Sequence, residues 1–244
     1  MTANMSNTVY YTPEVKGSEQ AAAYSKTQGS VMRYIAFRDV PAFVAQYVRG
    51  TKALDYGSGT GCSAKLLLEL GLDVVGVDIS EEMLAQARLL CPETEFRLSN
   101  NGIVPASDQS FDLVLSGFVM FCIATQAEVV AYLKEAKRVM KPDGVFIAVT
   151  GSQDLFSKEW LTLNVDFPEN KNLTSGAPAK AYHYESNIEF TDYFWTEQDY
   201  RNFFAQAGFE LLEVHYPLGK VNEPYAWKDE KTHSPFVVFV ARAI

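Results

Sequence analysis

Residues 53–83 read ALDYGSGTGCSAKLLLELGLDVVGVDISEEM. Lys52 to Asp55 predicts a short strand that feeds the glycine-rich turn Asp55-Tyr56-Gly57-Ser58-Gly59-Thr60-Gly61. Cys62 to Leu70 follows as a helix, and Gly71 can end it in a left-handed cap. Leu72 to Asp78 is a second strand. Ser80 then caps a helix running to about Leu90, with Glu81 and Glu82 in the first turn, where carboxylates favour the helix dipole. A strand, a bare-backbone turn, a helix and a second strand ending in an acid form half of a nucleotide-binding unit.

Working outward, Thr94 to Leu98 and Phe111 to Ser116 predict two further strands, separated by a polar loop containing Asn100, Asn101, Gly102 and Pro105. Thr125 and Glu128 form a capping box, and Val129, Leu133, Ala136 and Met140 follow at helical spacing. Lys141, Pro142, Asp143 and Gly144 turn the chain into the strand Val145 to Val149. Parallel strands need crossover helices and must be covered on both faces. The expected fold class is therefore α/β, a doubly wound, mostly parallel seven-stranded sheet with helices on both faces and the final strand antiparallel. The segment Gly151 to Phe190 breaks the alternation and reads as an aromatic-rich insertion. Thr196 caps a helix that Gly208 ends, and Phe209 to Tyr216 and Pro235 to Ala241 supply the last strands. Before the core, Glu19 to Tyr34 and Pro41 to Arg49 are expected helices.

The chain of 244 residues carries a formal charge of -9 and 48% hydrophobic side chains. That supports one substantial core and opposes a nucleic acid or anionic membrane as partner, since both are gripped by clustered Lys and Arg. Residues 1–17 show neither signal peptide nor membrane span, so a cytoplasmic protein is expected. Cys62, Cys91 and Cys122 lack paired-ligand spacing, which argues against a disulfide framework or a metal.

The glycine turn invites a ligand onto exposed backbone. A dinucleotide fingerprint needs glycines at its first, third and sixth positions, but the sixth position counted from Gly57 is Cys62. Asp55 would also aim a carboxylate at a pyrophosphate, whereas it suits an ammonium group. Asp78, at the end of the second strand, can accept both hydroxyls of a ribose.

Asp55 to Gly61 match the first motif of the class I methyltransferases, which run acid, any residue, Gly, any, Gly, small, Gly. The chain resembles that family through Val77 to Met83, Phe111 to Ser116 and Lys141 to Gly144 as well, over roughly residues 50–150. The resemblance implies S-adenosylmethionine as cofactor. Gly57, Ser58 and Gly59 would contact its methionine part, with Asp55 supporting the amino group. Asp78 would hold the ribose, Ile79 and Met83 would flank the adenine, and backbone near Ser116 and Gly117 would border the sulfur. Asn100, followed by Asn101, stands where relatives often carry a carboxylate for the adenine amino group, and an amide oxygen can still accept that bond. Tyr24, in an Ala-rich helix, resembles the tyrosine that closes over the cofactor in small-molecule members, and Arg33 would face the methionine carboxylate.

On this reading residues 1–244 form one methyltransferase domain. It comprises an N-terminal helical cap (1–50), a cofactor-binding core (51–150), an insertion or lid (151–192) and a C-terminal helix with strands (193–244). Methyl transfer from a sulfonium chiefly needs alignment and exclusion of water, and a base is optional. The candidates are His183, in the aromatic insertion, together with Tyr24; His215 and His233 have weaker claims, and Phe121 and Cys122 occupy places where many relatives carry histidines. The aromatic run from Phe156 to Trp195 reads equally as the wall of a substrate pocket or as lid packing. The expected function is methylation of an N or O atom of a small, possibly aromatic metabolite by a monomer or homodimer. A protein methyltransferase and a non-catalytic cofactor-binding protein are the alternatives, and a nicotinamide oxidoreductase is disfavoured by the glycine spacing.

Overall fold

A computed structural model describes residues 9–11, 17–27, 29–100 and 102–244. In chain order the strands are β1 (Val9–Tyr11), β2 (Lys52–Tyr56), β3 (Asp73–Asp78), β4 (Glu95–Leu98), β5 (Phe111–Gly117), β6 (Met140–Gly151), β7 (Leu163–Asn164), β8 (Pro178–His183), β9 (Ile188–Tyr193), β10 (Phe209–His215) and β11 (Phe236–Ala243). The α-helices are α1 (Ser18–Ser25), α2 (Val31–Phe37), α3 (Val40–Tyr47), α4 (Cys62–Glu69), α5 (Glu81–Leu90), α6 (Gln126–Val139) and α7 (Glu197–Ala207).

Seven strands form the main sheet in the order β10-β11-β6-β5-β2-β3-β4, and β11 pairs antiparallel with both its neighbours. The expected architecture is therefore present. Alternate residues of each strand serve opposite faces. Ala53, Leu113, Leu115, Ile147 and Val238 pack with α2, α3, α4 and α5 on one side. Leu54, Val114, Phe146 and Phe239 pack with α6 and α7 on the other. Strand order reverses between β2 and β5, so the crevice for a ligand opens at the carboxyl ends of those two strands.

Local chemistry sets the helix ends as the sequence predicts. Thr125 with Glu128, and Thr196 with Asp199, close complete capping boxes, while the Ser80 side chain accepts from the Met83 N–H. Gly208 ends α7 in the left-handed conformation, at φ 79°. The expected helix Glu19 to Tyr34 is broken in two, because Ser30 takes an extended conformation and caps a new helix by accepting from the Arg33 N–H.

The insertion differs from the irregular segment expected. Strands β7, β8 and β9, joined by β1, make a second, four-stranded sheet in the order β1-β9-β8-β7. Leu155, Phe156, Trp160, Leu163, Val165, Ala179 and Ala181 bury a small core beneath it. Trp160 is 1% exposed, and its indole N–H donates to Leu155 O at 2.7 Å, so this part of the aromatic run is packing.

Candidate active site

The crevice is a cavity of about 700 Å³. Gly57 and Gly59 form its floor, and Asp78, Ile79 and Met83, Gly102 and Ile103, and Tyr132 on α6 line it. Gly117, Phe118, Cys122 and Tyr193 line it too, and Tyr24 lines it from α1.

The floor is shaped by bonds back to β3. The N–H groups of Gly57 and Ser58 both donate to Val77 O, at 2.8 and 2.9 Å, and the Gly59 N–H donates to Asp78 Oδ2 at 2.8 Å. Gly61 N–H donates to Ser58 O. These four donors are spent inside the loop, which therefore offers no cradle of free amides for a pyrophosphate. Gly57 has φ +82°, and a Cβ there would lie 2.2 Å from Val119 Cγ2. Only glycine fits both the conformation and the approach of the 118–122 segment. Ser58 turns its buried side chain toward Gly76 and shapes the loop rather than lining the cavity.

Asp55 points from β2 toward α4, where its Oδ2 accepts from Ser63 Oγ at 2.8 Å, while its Oδ1 is buried with no hydrogen-bond partner among the described residues. Burial pushes its carboxyl up to about 7, and the Asp78 charge adds to this, against the Ser63 hydrogen bond and the Arg33 guanidinium. Arg33 is half-buried, donates from Nε to Thr27 Oγ1 at 3.1 Å, and stands over the rings of Tyr24 and Phe118 at 5.1 and 5.5 Å. It forms no ion pair with a described carboxylate. Burial pushes the Tyr24 hydroxyl up, opposed by Arg33, and its ring edge would lie 3.8 Å from a Cβ on Gly59.

Of the other expected residues, Ile79 and Met83 line the cavity beside Asp78. Asn100 is exposed and closes a short turn by accepting from the Ile103 N–H, which presents Gly102 and Ile103 to the cavity instead. Asn101 lies outside the described residues. Ser116 is buried behind the wall, where its Oγ lies in hydrogen-bond contact with Tyr132 OH at 2.9 Å, and Gly117 is the cavity residue of that pair.

His183 is fully buried and lines neither this cavity nor the chamber beside it. Its Nδ1 engages Ser186, its Nε2 has no hydrogen-bond partner among the described residues, and burial lowers its pKa to about 4. That is a neutral packing histidine, and the position expected of a base is taken up inside the second sheet.

Several residues escaped the sequence reading. Phe118 carries φ +60°, a conformation that side chains rarely adopt and that concentrates at functional sites. It is held by its N–H to Val149 O and by the rings of Phe37 and Phe236. Nothing local in the sequence signals it. Tyr132 stacks on Tyr56, with ring centroids 4.1 Å apart, and its hydroxyl donates to Tyr56 O. Asp192, 5% exposed, was legible only as an acid in the inward phase of the alternating strand Ile188, Phe190, Asp192.

The methyltransferase domain family matches residues 54–148, which run from β2 into β6 and contain both sides of the crevice. A demethylmenaquinone methyltransferase of Tropheryma whipplei is 33% identical over 168 residues, covering 66% of this chain and 67% of that protein. The chain belongs to the S-adenosylmethionine-dependent methyltransferases. A malonyl-[acyl-carrier protein] O-methyltransferase of Erwinia billingiae is also similar, 30% identical over 66% of this chain and 63% of that protein. The fold is shared with an S-adenosylmethionine-dependent methyltransferase from Mesorhizobium loti, with a TM-score of 0.64, 19% identity, and coverage of 86% of this chain and 99% of that one. The cofactor of this methyltransferase is S-adenosylmethionine, and the residues present fit it. Asp55 Oδ1, buried behind the glycine floor and not lining the cavity, has no hydrogen-bond partner among the described residues, and the glycine floor admits a ligand that brings no phosphate. Among the described residues no helix is long and apolar enough to cross a membrane, and no metal-binding cluster occurs.

Proposed function

We propose that this methyltransferase acts on an O or N atom of a small aromatic metabolite. The observation that carries the reading is the lining of the cavity. Besides the glycine floor it includes the rings of Tyr24, Phe118, Tyr132 and Tyr193, against which a flat apolar acceptor can lie. The names of the similar demethylmenaquinone and O-methylating enzymes are compatible with a ring-bearing or oxygen-centred acceptor.

Asp78 would hold the ribose from the end of β3, where its carboxylate lines the cavity and accepts from the Gly59 and Ser80 N–H groups. Ile79 and Met83 would flank the adenine, with Asn100 and the Gly102–Ile103 backbone closing that edge. Gly57, Ser58 and Gly59 would support the methionine portion, Asp55 its ammonium and Arg33 its carboxylate, while Ser116 fixes Tyr132 behind the sulfur end. When bound, the cofactor supplies an activated methyl group on a sulfonium. The chain's own contribution is alignment and dryness: Tyr24 covers the floor, and the aromatic lining excludes water from the reacting atoms.

Incubation with methyl-labelled S-adenosylmethionine and a small-metabolite extract tests the reading. Label is expected in the small-molecule fraction. Label in protein instead would establish a protein methyltransferase. Stabilisation by S-adenosylhomocysteine with no transfer to either fraction would establish a non-catalytic cofactor-binding protein.

A further inference from the structure

Beside the large cavity lies a chamber of about 60 Å³ that shares Tyr24, Phe118 and Cys122 with it. The chamber sits where the second sheet meets the first, and its walls are almost wholly apolar, including Met32, Phe121, Leu155, Leu163, Phe190 and Phe236. One carboxylate enters it, that of Asp192 on β9. Cys122 Sγ, which also lies 3.3 Å from Phe118 O, donates to Asp192 Oδ1 at 3.3 Å, and no described residue donates to Oδ2. Asp192 does not line the larger cavity.

We propose that this chamber is the acceptor subsite, that it takes the hydroxyl end of an aromatic alcohol or phenol, and that Asp192 is the catalytic residue receiving the hydroxyl proton.

Size, polarity and charge each bear on this. An apolar cavity of about 150 Å³ takes a benzene ring, so a chamber of this volume takes a functional group while the ring stays in the larger cavity beside Tyr24 and Phe118. A carboxylate among apolar walls whose described side-chain donor is a thiol gains from a stronger donor, and an acceptor O–H is such a donor. Arg33 already stands over Tyr24 and Phe118, the two rings at the shared mouth, and a cationic amine entering there would meet a like charge. A neutral hydroxyl avoids that. Burial pushes the Asp192 carboxyl up to about 7, against the Cys122 hydrogen bond, which matches a base that must hold a proton transiently near neutral pH. Its ionisable neighbours are Cys122 on the 120–122 turn, Tyr24 on α1 and Tyr200 on α7. In the step itself the acceptor O–H bond breaks and its proton passes to Asp192 Oδ2. The new O–CH₃ bond forms from the oxygen pair, and the pair of the broken S–CH₃ bond remains on sulfur, leaving a neutral thioether. Asp192 then returns the proton to water.

The inference rests on the larger cavity being the donor site, and the test separates the two. S-adenosylhomocysteine binding is measured first by calorimetry, and its absence would sink the donor-site reading on its own. On protein saturated with S-adenosylhomocysteine, phenol, toluene and benzylamine are then compared. Wild type is expected to bind phenol about tenfold or more tighter than toluene, because an unmet carboxylate rejects the analogue lacking the hydroxyl. Asp192→Leu should reduce that ratio to about one. Equal binding of phenol and toluene by wild type overturns the proposal whether or not the variant folds, and tighter benzylamine overturns the hydroxyl class. Turnover against pH reports the proton. With phenol as acceptor, kcat/KM of wild type should fall as pH drops through about 7, where Asp192 takes up its own proton, and that limb should be absent from the residual activity of Asp192→Asn. The same pH profile with both proteins would overturn the role of Asp192 as proton acceptor.

Discussion

Gly59 N–H donates to Asp78 Oδ2 at 2.8 Å, and through this bond the end of β3 fixes the conformation of the glycine floor. Ser80 N–H donates to the other oxygen at 2.9 Å, so one carboxylate joins the loop after β2 to the start of α5. Asp78→Asn replaces one acceptor by a donor that faces an N–H. The variant should lose about 10- to 100-fold in S-adenosylhomocysteine affinity by calorimetry, and about 1–3 kcal/mol of stability in urea, since the site and the loop share these bonds.

Gly57→Ala should destabilise the fold by about 2 kcal/mol or more, because the new Cβ meets Val119 Cγ2 at 2.2 Å and the backbone is held at φ +82°. Adding Val119→Ala should recover the steric part only. A double variant as stable as wild type would show that the left-handed backbone costs nothing there.

Asp55→Asn separates stability from binding. The native carboxyl titrates at about 7, against about 3.9 for an unfolded aspartate. Between those values the native state holds a proton that the unfolded chain has released, so this group's contribution to stability falls as pH rises from about 4 to 7 and stays unfavourable above. The variant should therefore gain stability relative to wild type at about pH 8, and that gain should vanish near pH 4. Its affinity for S-adenosylhomocysteine should nevertheless fall, since the acceptor for the ammonium group has lost its charge. Melting curves across pH and calorimetry at one pH check the two halves.

Arg33→Ala should weaken S-adenosylhomocysteine by about 10- to 100-fold, the value of a charge-assisted hydrogen bond, while leaving 5′-methylthioadenosine, which lacks the amino-acid portion, unchanged. Equal loss for both ligands would reduce Arg33 to a packing residue between Tyr24 and Phe118.

His183→Leu should alter stability and not chemistry. Burial lowers the native pKa to about 4, from about 6.5 in an unfolded chain. As pH falls through that window the unfolded state takes up the proton first, so the wild-type histidine costs stability on the acid side. The variant should lose less stability than wild type on acidification from about pH 7 to 4, measured by denaturant titration. A change in the pH profile of turnover would return His183 to the reaction.

The cofactor half of this protein was legible in residues 53–83 because its determinants are local. Glycines supply backbone that side chains forbid, Ser80 caps the helix that follows, and Asp78 falls at a strand end fixed by the alternation of apolar residues. The same periodicity determined the seven-stranded sheet and the two faces on which its helices pack. The other half was decided by tertiary contacts between distant segments. Cys122 meets Asp192 across 70 positions, Phe118 is forced to φ +60° by neighbours on other elements, and the aromatic insertion becomes a sheet by pairing β9 with β1. His183, which read as a candidate base, lies away from both cavities while Asp192 lines the smaller one, because a strand position faces cavity or core according to a register that no local pattern records.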